Sequence, residues 1–285
     1  MGNSNYLDKL HSELLSIIDE IDRVCSENGI CYYLAEGTLL GAVRHHGFIP
    51  WDDDLDISMP RKDFDRFIQI ANDSLSSLFE LQWSTTNKEY WQMFAKVVKK
   101  GTLFKEPGLK IFKPLGIFID IFPLDSSSSY STHLERRKAW INHINSVIWY
   151  NNSRRLDIQH FPHYILSHLF SIRRLHVMME GLMRSTCKLG TSHYVNYGSM
   201  YSLSRQTMPC SWYGVGVRAP FEGRMLSIPV EYLKVLSSIY GPDFMQLPPE
   251  EKRRCHYPER VVFSDGQVLD FEKPTHIVTV REQES

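Results

Sequence analysis

The segment WDDDLDISM, residues 51–59, constrains the fold more than any other stretch of the 285-residue chain. Side chains two positions apart on a strand point to the same face. The segment therefore predicts a half-buried strand with Asp52, Asp54 and Asp56 on one face and Leu55, Ile57 and Met59 toward the core. Same-face Cα atoms lie roughly 6.5–7 Å apart, close enough for two carboxylates to share one divalent cation. Without a cation such neighbouring charges would repel one another.

A second carboxylate, Asp120, lies in the otherwise apolar run FIDIFPLD, residues 118–125. Burial of an aspartate is costly unless it is paired or bound to a metal. Hard oxygen ligands favour Mg²⁺ or Mn²⁺ over zinc, so the two acidic strands together indicate such a site. Structural alternatives remain open for both: an acidic turn or helix-capping cluster at residues 52–56, and a hydrogen-bonded core carboxylate at Asp120.

Upstream, the apolar and aromatic run CYYLA, residues 31–35, predicts a buried strand that leads into a turn at Gly37 and Thr38. Backbone N–H groups at a helix start, together with a threonine hydroxyl, are suited to hold a phosphate. The order of elements is strand, Gly-Thr turn, short helix, acidic strand, and a further strand with one aspartate. Phosphoryl and nucleotidyl transfer need this combination, because cations on carboxylates neutralise the phosphate while backbone donors orient it.

Strand patterns alternate with helical patterns along the first 125 residues, which is typical of the α/β and α+β classes. Helices are predicted at 5–28, 61–73 and 230–240, and further strands at 91–101, 115–125 and 221–229. Residues 133–189 are helical in pattern and basic, with nine Lys or Arg against three Asp or Glu. We therefore predict one catalytic unit over 1–285, with its core at about 1–130 and 190–285 and a helical insertion or cap at about 131–189.

Composition and charge exclude several classes of protein. The formal net charge is −1, which argues against a nucleic-acid-binding surface. The five cysteines are scattered without C-x-x-C spacing, as expected for a reduced intracellular protein. No apolar run approaches the roughly 18 residues of a membrane span, and the first residues lack the apolar core of a secretory signal. The sequence thus predicts a soluble, cytoplasmic protein.

The stretch YYLAEGTLLGAVRHHGFIPWDDDLDISMPRKDFDRF, residues 32–67, resembles the signature of the LicD family. Further matches follow in the same order and cover most of the chain: FAKVVKKGT, GIFIDIFPLD, FEGRMLSIP and YGPDFMQLPPEEKR. The basic helical stretch 133–189 is the least distinctive part. The resemblance implies an α+β, nucleotidyltransferase-like fold, a mixed sheet with flanking helices. It also implies Mg²⁺, or Mn²⁺, held by Asp54 and Asp56, with Asp120 as third carboxylate and Asp52 as a further ligand.

Members of this family move a phospho-alcohol such as phosphocholine from a CDP-linked donor to a glycan hydroxyl. The resemblance therefore implies a Mg²⁺-dependent transferase that uses a CDP-alcohol, with CDP-choline favoured. Its acceptor would be a cell-surface glycan precursor of the teichoic acid or lipopolysaccharide type. Two alternatives stay open: a nucleotidyltransferase that acts on a small molecule with an NTP, and a non-catalytic glycan- or metal-binding subunit of surface-polymer assembly.

Several residues in the matched motifs are expected to contact substrate. They are Glu36, Gly37, Thr38, Arg44, Lys96, Glu222 and Arg224. Asp120 is the expected general base for the attacking hydroxyl. Lys96 and Arg44 are expected to neutralise the leaving phosphate, although either could equally be a solvated or snorkelling cation. Glu222 and Arg224 either hold the site together by an ion pair or contact the acceptor.

A choline group would require a cage of aromatic faces. The candidates are Tyr32, Trp51, Tyr90, Trp91, Trp212 and Tyr213, each of which also suits a core or rim position. The basic and apolar stretch 133–189 carries a net charge of +6, from nine basic and three acidic residues. It suits either peripheral docking to an anionic membrane surface or a helical cap with a solvated basic side.

Overall fold

The computed structural model describes residues 3–88, 90–106, 115–153, 165, 169–184, 192–253 and 258–271. Helices and strands are mixed along these residues, so the predicted α+β class is confirmed. The helices are α1 Asn3–Asn28, α2 Glu36–His45, α3 Arg61–Ser74, α4 Thr132–Ser153, α5 Ile172–Arg184, α6 Leu203–Gln206, α7 Cys210–Tyr213 and α8 Tyr232–Tyr240. The strands are β1 Tyr33–Leu34, β2 Asp56–Pro60, β3 Phe79–Gln82, β4 Ala95–Lys99, β5 Leu103–Lys105, β6 Phe118–Ser127, β7 His193–Val195, β8 Thr207–Pro209, β9 Val217–Phe221, β10 Arg224–Ile228, β11 Arg260–Val262 and β12 Val268–Asp270.

The central sheet is mixed, as predicted, and has the strand order β1-β2-β6-β4-β3. Strands β2 and β6 pair in parallel, whereas their neighbours pair antiparallel. The long strand β6 changes partner along its length: its first half pairs with β4, and its last residues pair with β7, which in turn pairs with β8. Because of this, β6 links the strands that carry the acidic residues to the helical region that follows it.

Helix α1 forms because apolar residues recur along it at helical spacing. Leu10, Leu14, Ile17 and Ile21 are at most 1% exposed and pack in the main core against the sheet. Gly29 follows the helix with φ +58°, a left-handed conformation that glycine adopts without steric cost. Each fully buried aliphatic side chain contributes about 1.5–3 kcal/mol, so this helix is a principal part of the core.

A second apolar cluster lies under α4 and α5, in the region predicted as a helical insertion. Ile141 and Ile148 of α4 meet Met179 and Met183 of α5, together with Val195 of β7. The buried positions of both helices recur at helical spacing. Within the described ranges no helix combines the length and the apolar character needed to cross a bilayer.

A buried ion pair joins the two apolar clusters. Arg61, the first residue of α3, donates to both carboxylate oxygens of Asp125 in β6, at 2.8 and 2.7 Å. Its third nitrogen donates to Glu180 of α5 at 3.1 Å. The side chains of Arg61 and Asp125 are 6% and 0% exposed. Burial raises the pKa of Asp125 and the Arg61 guanidinium opposes that rise, so the pair depends on both partners.

Replacing Arg61 with methionine is expected to lower the free energy of unfolding by about 3–5 kcal/mol, because it leaves Asp125 charged and buried without its cation. Urea denaturation measures this loss. Arg23→Met is the matched control. Arg23 forms ion pairs with Glu20 and Glu27 and donates to the backbone oxygen of Ser74, but its side chain is 42% exposed, so its loss should cost far less. Equal losses in the two variants would contradict the role assigned to the buried pair.

The stability of the protein is expected to fall as the pH drops below about 6.5 through His176 of α5. Burial lowers the pKa of this histidine from 6.5, and its Nε2 lies 2.5 Å from the backbone oxygen of Tyr90. The unfolded chain then binds a proton that the folded chain does not, so stability is full above pH 6.5 and declines below it. His176 thereby adds at most about 1.4 kcal/mol per pH unit to the slope of the unfolding free energy against pH.

Denaturation of the wild type and of His176→Gln between pH 7.5 and 5 measures this contribution. The glutamine retains a donor for the Tyr90 carbonyl but does not titrate. A variant with the same pH dependence as the wild type would show that His176 is not the group responsible.

Candidate active site

A row of polar side chains runs across the central sheet. The register pairs Asp56 of β2 with Asp120 of β6, Asp120 with Lys96 of β4, and Lys96 with Gln82 of β3. Directly opposed residues present their side chains on the same face of a sheet. The Nζ of Lys96 lies 2.5 Å from Oδ1 of Asp120, and the two side chains are 1% and 17% exposed. Two carboxylates and one ammonium group are thus fixed side by side.

Lys96 is held in place by aromatic rings as well as by its ion pair. Its Nζ lies 3.3 Å from the centre of the Phe118 ring and 5.3 Å from that of Phe94. A cation over an aromatic face is attracted by the negative face of the ring. The sequence places Lys96 near a leaving phosphate, whereas in the structure its ammonium group contacts Asp120.

Negative charge accumulates on the other side of the row. Burial raises the pKa of Asp56 well above its usual value, and Asp54, Asp120, Glu36 and Asp52 raise it further. The pKa of Asp120 is also raised by burial, but the adjacent Lys96 ammonium opposes the rise. A divalent cation would relieve the repulsion at Asp56. In the described part of the chain, no three His, Cys, Asp or Glu side chains are grouped closely enough to form a metal site by themselves.

The acidic segment departs from the predicted strand at its start. Strand β2 begins only at Asp56, and residues 52–55 have no regular structure. The predicted alternation of burial is present nevertheless, since Asp53 and Leu55 are buried while Asp52 and Asp54 are half-buried. The strand starts late because the N–H of Asp56 donates to Oγ1 of Thr38, at 2.8 Å, instead of to a neighbouring strand.

The first turn of α2 lies directly against the acidic segment. A Cβ at Gly37 would be 2.9 Å from Oδ2 of Asp52, so only glycine permits this approach. The carboxylate of Asp52 is therefore next to the N-terminus of a helix, where negative charge is favoured. The predicted phosphate-binding turn and the predicted metal-binding carboxylates are brought together here.

Glu36, the first residue of α2, is held by a segment to which sequence reasoning assigned no role. Its Oε1 accepts from Nε2 of Gln206 at 2.9 Å and from Nδ2 of Asn196 at 3.5 Å. Burial raises the pKa of Glu36 to about 7, and the charge of Asp54 adds to the rise. No local pattern identifies Gln206 and Asn196, because they reach Glu36 only through the tertiary fold.

Three other predicted substrate residues lie apart from the row and have protein partners. Arg44, near the end of α2, donates to the backbone oxygens of Phe244 at 3.1 Å and Gln246 at 3.3 Å. Arg224 donates to both carboxylate oxygens of Asp19 at 2.6 and 2.8 Å.

The third is Glu222, whose Oε1 accepts from the backbone N–H of Phe48 at 3.1 Å. Arg224 donates to the backbone oxygen of Glu222, and the carboxylate with which it forms an ion pair is that of Asp19. Substrate roles for Arg44, Glu222 and Arg224 stay predictions.

Most of the aromatic residues considered for a choline cage belong to the core. The four buried ones are Tyr32, Tyr90, Trp91 and Tyr213. Trp51 is half-buried and already carries the guanidinium of Arg253, 5.0 Å from its ring centre. Tyr32, Tyr90 and Tyr213 pack in the main core and Trp91 in the second apolar cluster, so a choline site on the sequence candidates stays a prediction.

The regions of this chain that are similar to known proteins include the residues of the site. A family model described as LicD/FKTN/FKRP, nucleotidyltransferase domain, matches residues 29–155. This span contains the first turn of α2 and every residue of the polar row across the central sheet. The lipopolysaccharide cholinephosphotransferase LicD of Haemophilus influenzae is 28% identical over 251 residues, which cover 85% of this chain and 92% of that protein. Uncharacterised proteins of Rickettsia typhi and Rickettsia prowazekii are each 46% identical over shorter stretches, 20% and 18% of this chain and 18% and 19% of theirs.

Lys96→Met is expected to destabilise the protein by about 3–5 kcal/mol, because Asp120 then lacks its buried cation. The double variant Lys96→Met/Asp120→Asn should recover part of this loss, since no uncompensated charge remains. Chemical denaturation of both single variants and the double variant measures the coupling. Strictly additive losses would contradict a direct interaction between the two side chains.

Proposed function

The chain belongs to the LicD family, and on this premise we propose that it is a Mg²⁺-dependent transferase of phosphocholine or a similar phospho-alcohol. The donor is a CDP-linked alcohol such as CDP-choline, and the acceptor is a hydroxyl of a cell-surface glycan precursor. One observation carries the proposal: 85% of the chain is similar to a protein named lipopolysaccharide cholinephosphotransferase, and the similarity spans 92% of that protein.

The carboxylates of Asp54 and Asp56 are the groups that would hold Mg²⁺. Magnesium in phosphate-transfer sites takes one or two carboxylates and completes its shell with waters and substrate phosphates, so a preformed group of three is not required. When bound, the cation would neutralise the donor diphosphate. Burial, and then the charges of Asp54 and Asp120, raise the pKa of Asp56, and a cation beside these carboxylates would offset their mutual repulsion.

The start of α2 is suited to orient the donor phosphate. The N–H groups of Gly37 and Thr38 lie in the first turn, where the helix provides no carbonyl partner for them, and such groups favour an anion. Oγ1 of Thr38 accepts from Asp56, which leaves its hydroxyl hydrogen to donate to a phosphate oxygen. The proximity of Asp52 to this turn would repel a phosphate, which supports the need for a cation between them.

Asp120 is the group that we assign as general base. Lys96 holds Oδ1 of Asp120 and thereby orients the carboxylate, whose second oxygen accepts the proton of the acceptor hydroxyl. The hydroxyl oxygen attacks the phosphorus that bears the alcohol, a new P–O bond forms, and the bond to the CMP oxygen breaks. In this scheme Lys96 acts on Asp120 instead of on the leaving phosphate.

A second reaction fits the same site, because the matched family model is described as a nucleotidyltransferase domain. In that case a small-molecule hydroxyl would attack the α-phosphorus of an NTP, and pyrophosphate would leave. The two reactions differ in their released product, which makes them separable in one assay.

Incubation with CDP-choline, CDP-ribitol or CDP-glycerol, Mg²⁺ and glycan acceptors is expected to release CMP from one of the donors. Asp54→Asn and Asp56→Asn should each reduce this rate roughly 10³-fold or more, because several kcal/mol of charge stabilisation is lost. Asp73→Asn, at an exposed position of α3, is the matched control and should leave the rate unchanged.

Release of pyrophosphate from an NTP, without CMP from any donor, would favour the nucleotidyl reaction. Full CMP release by Asp54→Asn and Asp56→Asn would contradict the assignment of the cation site. Binding of the donors with no turnover by any acceptor would support the non-catalytic alternative.

A further inference from the structure

The turn that joins β9 to β10 contains an unfavourable residue. Phe221 pairs with Arg224, so the turn consists of Glu222 and Gly223 alone. Both have positive φ, +47° and +73°, as a two-residue hairpin turn of this type requires. Asparagine, aspartate or glycine normally occupies the first position, because longer side chains are disfavoured in the left-handed region. Strain of this kind persists where the side chain is needed.

The side chain and backbone of Glu222 both bind one short segment. Oε1 of Glu222 accepts from the N–H of Phe48 at 3.1 Å, and the N–H of Glu222 donates to the backbone oxygen of His46 at 3.0 Å. Gly47 lies between these two contacts, and a Cβ at Gly47 would overlap the Glu222 carboxylate. The tip of the hairpin therefore binds residues 46–48 through two hydrogen bonds.

Residues 46–48 begin the connection from α2 to the acidic segment. On its other side Phe48 is stacked on the ring of His11, with 3.8 Å between ring centres and 2° between ring planes. Nε2 of the same histidine lies 2.7 Å from the backbone oxygen of Asp52. Displacement of Phe48 would consequently move the ring that binds the acidic segment at Asp52.

We propose that Glu222 is a positioning residue, whose carboxylate holds residues 46–48 so that the carboxylates of residues 52–56 keep their place beside β6. Its effect on turnover rests on the proposed phosphotransfer; its effect on the position of the loop does not. The important group is a hydrogen-bond acceptor at Oε1, and no contact with either substrate is involved. The same geometry explains why the chain retains a glutamate where the turn favours a shorter residue.

Two substitutions separate the acceptor atom from the turn conformation. Glu222→Asn provides a residue that the turn favours, but its side chain is one methylene too short to reach Phe48. Glu222→Gln keeps an oxygen acceptor at the same reach and removes the charge. Thermal unfolding should show little change in Tm for either variant, because the asparagine offsets the lost hydrogen bond with a better turn.

Hydrogen exchange and kinetics then test the proposal. In Glu222→Asn, exchange of amides at 46–56 should rise about tenfold, as expected for loss of one hydrogen bond of ordinary strength, while exchange in β6 stays unchanged. CMP release should show a lower kcat with an unchanged KM for the acceptor. Glu222→Gln should restore both the exchange rates and kcat.

Unchanged exchange at 46–56 in Glu222→Asn would overturn the proposal, and so would an increase spread evenly over the chain. A raised acceptor KM with unaltered exchange would show that Glu222 contacts the acceptor instead. Failure of Glu222→Gln to restore would show that charge, and not the acceptor atom, is required. If the wild type released no CMP from any donor, the proposed function would fail, but the exchange experiment would still decide the role of Glu222.

Discussion

The parallel pairing of β2 with β6 is the constraint on which the site depends, because it places Asp56 directly beside Asp120. Two partly buried carboxylates at this spacing repel each other, so the fold must supply positive charge. Lys96 supplies it from β4 at one side of the pair, where the ammonium group also lies against the ring of Phe118. On the other side Asp54 adds further negative charge. The site is thus asymmetric, with a protein cation beside Asp120 and further carboxylates around Asp56.

The second property of the site is that its acidic loop has no regular structure and is held by distant elements. Thr38 receives the N–H at the start of β2, His11 contacts the backbone of Asp52, and Glu222 binds the loop near Phe48. These contacts come from α2, from α1 and from the β9–β10 turn. A loop fixed at several points presents its carboxylates in one geometry, which suits the proposed binding of a cation and a diphosphate.

Sequence reasoning was most successful where the signal is local and periodic. Helices α1, α3 and α8 and strands β4 and β6 lie where apolar spacing predicted them, because core burial selects the same period. It was wrong about the start of β2, since the hydroxyl of Thr38 competes with strand pairing for the N–H of Asp56. Periodicity contains no information on such a contact. The same holds for Arg224, whose partner Asp19 is 205 positions away.

By itself the sequence determined the chemical content of the site: a Gly-Thr turn, a cluster of aspartates that alternates with apolar residues, and a lone aspartate in an apolar strand. These three features can be read from residue types and short spacings along the chain. Only the tertiary structure decided how the charges are shared. The register between β4 and β6 assigns Lys96 to Asp120 and leaves Asp56 among carboxylates, because strand pairing between distant segments sets which side chains become neighbours.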